Sequence, residues 1–212
     1  MVYGRRNVCD HALGGGVVSI RKRMSIHDHV EVLASLQHAG IPVSRNVDLS
    51  KRCAIRASGI ACLLVLPRNE AELVESIRIL HAASAPFKVI GRLTNLLFVS
   101  DPVLTPIVST EKLTEIRTES DIAYAEAGCS LPALSVKLTR EGWDGFWGLM
   151  TIPGNVGGAV FMNAGAYGQE VSDFLVSVRC LDPAGRVVEI PKSQLQFAYR
   201  SSAFKDSLKD HA

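Results

Sequence analysis

The chain has 212 residues, of which 47% are hydrophobic and 21% are charged, and its formal net charge is +2. This composition is typical of a folded globular protein with ample core and excludes an intrinsically disordered chain. The small net charge gives no support for nucleic-acid binding, and the longest apolar run, residues 60–66, is far too short to span a membrane.

The cysteine pattern bears on the cellular compartment. The five cysteines are odd in number and widely spaced, and no two of them form a C-x-x-C pair. Such a pattern favours reduced thiols over disulfides or a zinc site. The glycine-rich residues 13–20 make a poor signal peptide. We therefore expect a cytoplasmic protein.

The first 40 residues are predicted to be an N-terminal extension with one short helix. Asp28 is a suitable helix cap, and Gly40 followed by Pro42 is a typical stop signal. His27 and His29 flank this aspartate, but side chains two residues apart on a helix do not share a face. We expect exposed cap residues here rather than a metal site.

The next segment has the pattern of a strand–helix–strand unit. Residues 62–66 read as a buried strand, and Asn69 with Glu72 forms a capping-box-like start for an amphipathic helix. Residues 87–90 and 96–99 are the next two predicted strands. A unit of this kind implies parallel pairing through a right-handed crossover.

The second half of the chain changes character. Residues 122–126 are a predicted strand, and Ser130 opens a helix that Gly142 ends. Residues 182–185 have the preferences of a type I turn, which joins two antiparallel strands. The first of these strands is predicted to bury one face, formed by Val176, Val178 and Cys180.

These elements predict two lobes of an α+β protein. A small parallel α/β lobe over residues 41–117 is followed by an antiparallel α+β lobe over residues 118–195, and residues 196–212 begin a further domain. Ligands commonly bind in the crevice between two such units. We expect a cofactor there.

Residues 152–168 form the most informative segment, with the sequence IPGNVGGAVFMNAGAYG. Its five glycines would weaken an ordinary helix or strand, but they suit backbone that approaches an anionic ligand closely. A loop with several tight turns is the alternative. A second turn, GRLTN at residues 91–95, follows a strand. Neither has the spacing of a dinucleotide fingerprint or a P-loop.

The residues of these turns carry a family resemblance. Residues 152–168 and the segment YRSSAFK at 199–205 closely resemble the UDP-N-acetylenolpyruvoylglucosamine reductase family of flavoenzymes. Weaker matches in the same order occur at residues 56–59, 91–97 and 127–128, so the resemblance covers about residues 41–206.

The resemblance implies an FAD-binding fold of the PCMH, or vanillyl-alcohol-oxidase, type, with FAD held between two subdomains. It implies reduction of FAD by NADPH and hydride transfer to the enolpyruvyl group of a UDP-sugar, UDP-N-acetylglucosamine enolpyruvate, in peptidoglycan precursor synthesis. It makes Arg200 the catalytic arginine and Tyr199 a substrate-binding neighbour. The cofactor-binding residues that it implies are Arg56, Gly91, Arg92, Leu93, Thr94, Asn95, Leu96, Gly128, Ile152, Pro153, Gly154, Asn155, Val156, Gly157, Gly158, Asn163, Gly165, Ala166 and Tyr167.

The chain also departs from the family pattern. Residues 91–95 replace a Gly-Gly-Gly-Ser-Asn turn, so Arg92 and Leu93 add side chains where backbone normally approaches phosphate. Arg92 could supply charge to the diphosphate, with Thr94 in place of the serine. Asn155 stands where threonine or cysteine is common.

Two hypotheses follow from the chain's last residues. The family's proton-donating serine and C-terminal glutamate belong to a third domain, and neither has a matching position here. The chain is then either a fragment, truncated form or part of a split reductase, or a non-catalytic FAD-binding module or decayed paralogue. A sugar or aldonolactone oxidase of the same superfamily is disfavoured by the motifs at 162–167 and 199–202. The sequence does not predict an oligomeric state.

Overall fold

A computed structural model describes residues 2–3, 26–53, 56, 59–98 and 102–212. The secondary structure of its first half comprises β1 (Val2–Tyr3), α1 (Ile26–His38), β2 (Val43–Asp48), β3 (Ile60–Val65), α2 (Glu70–Ala82), β4 (Lys88–Ile90), β5 (Leu97–Phe98) and β6 (Ile107–Ser109). The second half comprises β7 (Ile116–Glu119), β8 (Ile122–Ala125), α3 (Leu131–Arg140), α4 (Val156–Met162), β9 (Gly165–Ala166), β10 (Gln169–Glu170), α5 (Val171–Phe174), β11 (Ser177–Leu181) and β12 (Val187–Pro191).

A four-stranded sheet with the order β2-β3-β6-β4 organises the first lobe. Strand β6 runs parallel to both β3 and β4, with Leu64 opposite Ile107 and Val89 opposite Val108. The prediction that β3 and β4 pair directly is therefore wrong, although the two strands are parallel. Strand β6 escaped prediction because its three residues are all buried, so they show no alternation.

The first lobe was predicted to have a purely parallel sheet, and this prediction is wrong. Strand β2 pairs antiparallel with β3, with Val43 opposite Val65, so the sheet is mixed. Helices α1 and α2 cover one face through buried Leu36, Ile77 and Leu80. The predicted cap of α2 is confirmed, because the Asn69 side chain accepts a hydrogen bond from the Glu72 backbone at 2.9 Å.

The predicted Asp28 cap of α1 is wrong, because the helix begins at Ile26 and places Asp28 inside its first turn. His27 lies 3.5 Å from Glu31, whereas the His29 ring is 2.6 Å from the Leu104 carbonyl. The two histidines therefore point in different directions, as predicted for their spacing. Although His27, Asp28 and Glu31 lie close together, exposed groups of this kind are common without an ion.

The second lobe consists of short antiparallel pairs around three helices. Strands β7 and β8 form one hairpin and β11 and β12 another, which contains the predicted turn with its Gly185-to-Asp182 hydrogen bond of 2.8 Å. The prediction that Val176 faces the core is wrong, since it lies before β11 and is 66% exposed. The core of this lobe packs α3 and α4 together through Leu131, Leu149, Ala159, Val160, Ala164 and Val171.

The last residues of the chain pack on both lobes. Leu195 is fully buried beside Cys180 and Ile190. The backbone of Ala212 exchanges two hydrogen bonds with Leu181, and both residues contact the first lobe's core. The boundaries 41–117, 118–195 and 196–212 stay predictions. Among the described residues, no helix has the length and apolarity needed to span a membrane.

Candidate functional site

The first glycine turn, residues 91–95, leads out of β4 and is anchored by a leucine. Leu93 has φ +55° and is 3% exposed, with its side chain in the core cluster of Leu49, Leu64 and Ile107. The Thr94 hydroxyl donates to the Pro153 carbonyl at 3.3 Å. Leu93 therefore holds the turn from inside the protein, and Arg92 is left as an exposed side chain.

Asn155 connects this turn to two other predicted cofactor segments. Its Oδ1 accepts a hydrogen bond of 2.6 Å from the Arg92 backbone N–H. Its Nδ2 donates to the Gly128 carbonyl. The side chain is 4% exposed, so both bonds are shielded from water. Three segments that are far apart in sequence are thus brought together by one amide.

A cavity of about 430 Å³ opens at this junction. Its size lies within the range of ligand pockets in proteins. A neighbouring cavity of about 220 Å³ lies beside it, and Arg92 and Glu111 line both. The larger cavity is lined by Arg92, Glu111, Thr114, Ile116, Gly128, Cys129, Ser130, Ala133 and Asn155.

Charge in the cavities is carried by a few groups of opposite sign. Lys51 and Arg52 line the smaller cavity, and Arg52 forms an ion pair with Glu111. Burial raises the pKa of the Cys129 thiol to about 11, so this cavity residue is neutral at physiological pH. Arg92 is therefore the positive group shared by both cavities, whereas Arg52 is partly neutralised.

The glycines of the site meet two different demands. A Cβ on Gly128 would lie 1.9 Å from the Thr110 carbonyl oxygen, and a Cβ on Gly157 would lie 2.9 Å from the Ala127 side chain. Glycine is therefore required at both positions by contacts within the protein. A Cβ on Gly158, in contrast, would meet no atom within 4 Å, and this residue is exposed on α4. Glycine at 158 leaves open space beside the cavity segment.

Several main-chain N–H groups of the two turns are already bonded within the protein. Besides that of Arg92, the N–H of Val156 donates to Cys129 and that of Gly157 donates to Ala127, each at 2.9 Å. The expected cradle of main-chain donors is therefore partly occupied by the protein's own carbonyl groups. An anion in this cavity would rely more on side-chain charge.

The other end of α4 carries a second group of predicted residues. Asn163 has φ +44° and is 1% exposed, and its amide bonds to Glu170 Oε2 at 2.7 Å, to the Ala198 carbonyl at 3.1 Å and to the Ser172 N–H at 3.1 Å. Its side chain braces the surrounding loops. Gly165 lies directly beside this brace, in β9.

Arg200 lies at the tip of a tight turn closed by two backbone hydrogen bonds between Ala198 and Ser201. Its φ is +53°, and its Nη2 donates to the Gly165 carbonyl at 3.2 Å. Lys205 Nζ donates to the Arg200 carbonyl, and burial lowers the pKa of this lysine. The turn therefore holds Arg200 against β9 while leaving its side chain exposed.

Exposed aromatic side chains lie in this turn and directly after β9. Tyr199 is 83% exposed and Tyr167 is 71% exposed, with the Tyr167 ring 5.7 Å from that of Trp147. The structure thus gathers Tyr199, Arg200, Gly165 and its neighbours at one end of α4. It gathers the two glycine turns and Gly128 at the other. Seven residues of helix, about 10 Å, separate these two groups.

Some predicted residues lie outside both groups. Arg56 is exposed. Leu96 accepts a hydrogen bond from the Cys53 thiol at 3.2 Å through its carbonyl, and Ile152 packs in the second lobe's core.

Two cavity residues, Glu111 and Thr114, were not predicted from the sequence, because they follow β6, which the sequence pattern did not reveal. The sequence indicates Ser130 only as a helix cap.

The fold and the segments around the cavity define a class of protein. Residues 61–191 match the family model of the FAD binding domain, so the chain belongs to this family. The predicted α+β fold of the PCMH type is confirmed. A glucooligosaccharide oxidase from Acremonium strictum, at 14% identity and a TM-score of 0.60, shares the fold over 81% of this chain and 39% of its own.

The more similar relatives are reductases. UDP-N-acetylenolpyruvoylglucosamine reductases from Carboxydothermus hydrogenoformans and Fervidobacterium nodosum are 36% and 31% identical over 78% and 82% of this chain. The crystal structure of such a reductase (MurB) from Thermus caldophilus matches 76% of this chain with a TM-score of 0.64 and 31% identity. The resemblance predicted from the motifs is confirmed. The chain spans 55–57% of these relatives' lengths.

Proposed function

We propose that this chain binds FAD and is the flavin-binding part of an NADPH-driven reductase acting on UDP-N-acetylglucosamine enolpyruvate in the cytoplasm. The observation that supports this most directly is the junction at Asn155, where segments 91–95, 127–128 and 152–158 meet around one cavity. Similarity to the reductases points to the substrate. FAD, when bound, would take a hydride from NADPH and deliver it to the substrate.

The residues of this chain would then do two separate jobs. The turns at the Asn155 end of α4 hold the diphosphate, with Arg92 as the nearby exposed cation. At the other end, Arg200 faces the substrate, where a guanidinium can stabilise negative charge that develops toward the enolpyruvyl carboxylate. Tyr199, exposed beside it, is a substrate contact.

FAD fits the site on two structural grounds. The cavity at the Asn155 junction has the size of a ligand pocket and is bordered by an arginine. Glycine at position 158 destabilises α4, although an added Cβ there would meet no protein atom within 4 Å. A ligand that approaches this residue closely would explain the glycine.

The alternative is a non-catalytic FAD-binding module. It predicts FAD binding without turnover. The two hypotheses differ in whether NADPH can reduce the bound FAD. NADPH should reduce it if the chain is part of a reductase, but not if the chain is a decayed module.

The test is to purify the protein, add FAD, remove excess cofactor and record the visible spectrum before and after anaerobic NADPH. We expect flavin bands that NADPH bleaches. Bands that persist under NADPH would favour the non-catalytic module. A colourless protein that takes up no FAD would overturn the proposed function. Gly158→Leu, which places a bulky side chain where an added Cβ meets no protein atom within 4 Å, should prevent FAD uptake.

A further inference from the structure

Two asparagines occupy the same position at the start of different helices but use their side chains differently. Asn69 and Asn155 are both N-cap residues with extended backbone. The Asn69 side chain bonds to its own helix, at the Glu72 N–H. That of Asn155 makes no cap hydrogen bond and instead reaches Arg92, 63 residues away in sequence. Asn155 therefore lacks the usual side-chain cap of its own helix and forms a long-range hydrogen bond instead.

The partner of Asn155 matters because of its place in the site. The Arg92 N–H belongs to the turn predicted to cradle the diphosphate, and at 2.6 Å it is engaged by the Asn155 oxygen. The Asn155 nitrogen is engaged by the Gly128 carbonyl. Asn155 is also 4% exposed, so neither polar atom of its amide is presented to the cavity as a free donor or acceptor.

The Arg92 side chain is in the opposite situation. It is exposed and lines both cavities. Within the part of the chain that the structure describes, the Arg92 guanidinium forms no hydrogen bond or ion pair. A guanidinium is the side chain best suited to two phosphate oxygens, and its charge adds an attraction that salt weakens.

We propose that Asn155 is a positioning residue that locks the two turns together through the Arg92 N–H, and that the anion contact of residue 92 is thereby transferred from its backbone N–H to its guanidinium. This deepens the proposed function and rests on it, since the anion is the FAD diphosphate. The consequence is an energetic coupling: the contribution of the Arg92 side chain depends on the presence of the Asn155 amide.

A double-mutant cycle measures this coupling. FAD dissociation constants are measured by flavin fluorescence for the wild type, Arg92→Ala, Asn155→Ala and the double variant, each at low and high salt. We expect Arg92→Ala to weaken FAD binding about tenfold and to flatten its salt dependence. In the Asn155→Ala background, where the residue 92 N–H is released to bind phosphate, the same change should cost about threefold or less.

Two further variants separate positioning from folding. Asn155→Thr keeps a good helix cap but is too short to replace the amide, so it should lose the coupling as Asn155→Ala does while retaining the fold. Asp182→Ala removes a buried carboxylate that holds the β11–β12 turn through Arg186 and lines neither cavity. It should lower the melting temperature without changing the FAD affinity or its salt dependence.

The outcomes are distinct. A smaller Arg92 effect in both Asn155 backgrounds, with a flattened salt dependence in Arg92→Ala, supports the proposal. Equal Arg92 effects in all backgrounds would overturn the coupling, and an Arg92→Ala protein with wild-type affinity would overturn the guanidinium contact. Failure of the wild type to bind FAD under any condition would instead remove the proposed function itself.

Discussion

The two ends of α4 are built by different means. At the Asn155 end, close backbone packing around glycines shapes a cavity, and Gly128 leaves no room even for a methyl group. At the Arg200 end, Asn163 and Arg200 adopt positive φ, as Leu93 does at the first end, and the side chains of Asn163 and Lys205 brace an exposed turn. The first arrangement leaves space for a ligand, and the second holds a charged side chain at the surface. Two segments that match the same family, residues 152–168 and 199–205, can therefore include parts with different local structures.

The largest effect should come from Gly128→Ala. Its Cβ would lie 1.9 Å from the Thr110 carbonyl oxygen, which is backbone and cannot rotate away. We expect the free energy of unfolding to fall by about 3 kcal/mol or more. Urea titration of the protein without FAD measures this. A loss similar to that of Gly142→Ala, at an open turn with φ +88°, would contradict the packing explanation.

Gly158→Ala should separate stability from binding. The new methyl group on this exposed residue of α4 would meet no atom within 4 Å, so alanine should raise the free energy of unfolding by about 0.5–1 kcal/mol. FAD affinity should fall, because the methyl group enters the space left for the ligand. Thermal melting and FAD titration on one sample provide both values. Gly157→Ala, which meets Ala127 at 2.9 Å, should be destabilising instead.

A change at the other end, Lys205→Met, should have a smaller effect. It removes the bond to the Arg200 carbonyl, and we expect a loss of about 1 kcal/mol in the free energy of unfolding. Lys209→Met, on an exposed residue nearby, is the matched control. An equal loss in both variants would show that the Arg200 turn needs no brace from Lys205.

The contribution of Lys205 to the free energy of unfolding should depend on pH. Burial lowers the pKa of Lys205 from its ordinary value of 10.5, so the unfolded chain binds this proton more tightly than the folded one. The contribution of Lys205 to stability should therefore increase as the pH rises through the window just below 10.5. Urea titrations of the wild type and Lys205→Met across alkaline pH measure the difference. A difference that shrinks with rising pH would contradict this sign.

The sequence predicted some of these features and not others, for physical reasons. The starts of α2 and α3 were predictable because Asn69 and Ser130 cap their own helices within four residues. The Asn155–Arg92 bond was not, because a contact across 63 residues leaves no local pattern. Strand β6 and the cavity residue Glu111 that follows it were missed together, since three uniformly buried residues have no period.

The smallest effect concerns charge at the Asn155 end. Glu111 lines both cavities with its carboxylate paired to Arg52, so it opposes an anion near Arg92. Glu111→Gln removes that repulsion and releases Arg52, and we expect FAD to bind about two- to threefold more tightly, with a steeper salt dependence. The control is Glu119→Gln: Glu119 and its ion-pair partner Arg117 line neither cavity, so this variant should leave the affinity unchanged. If both variants bind FAD like the wild type, the Glu111 carboxylate lies too far from the diphosphate to affect its binding.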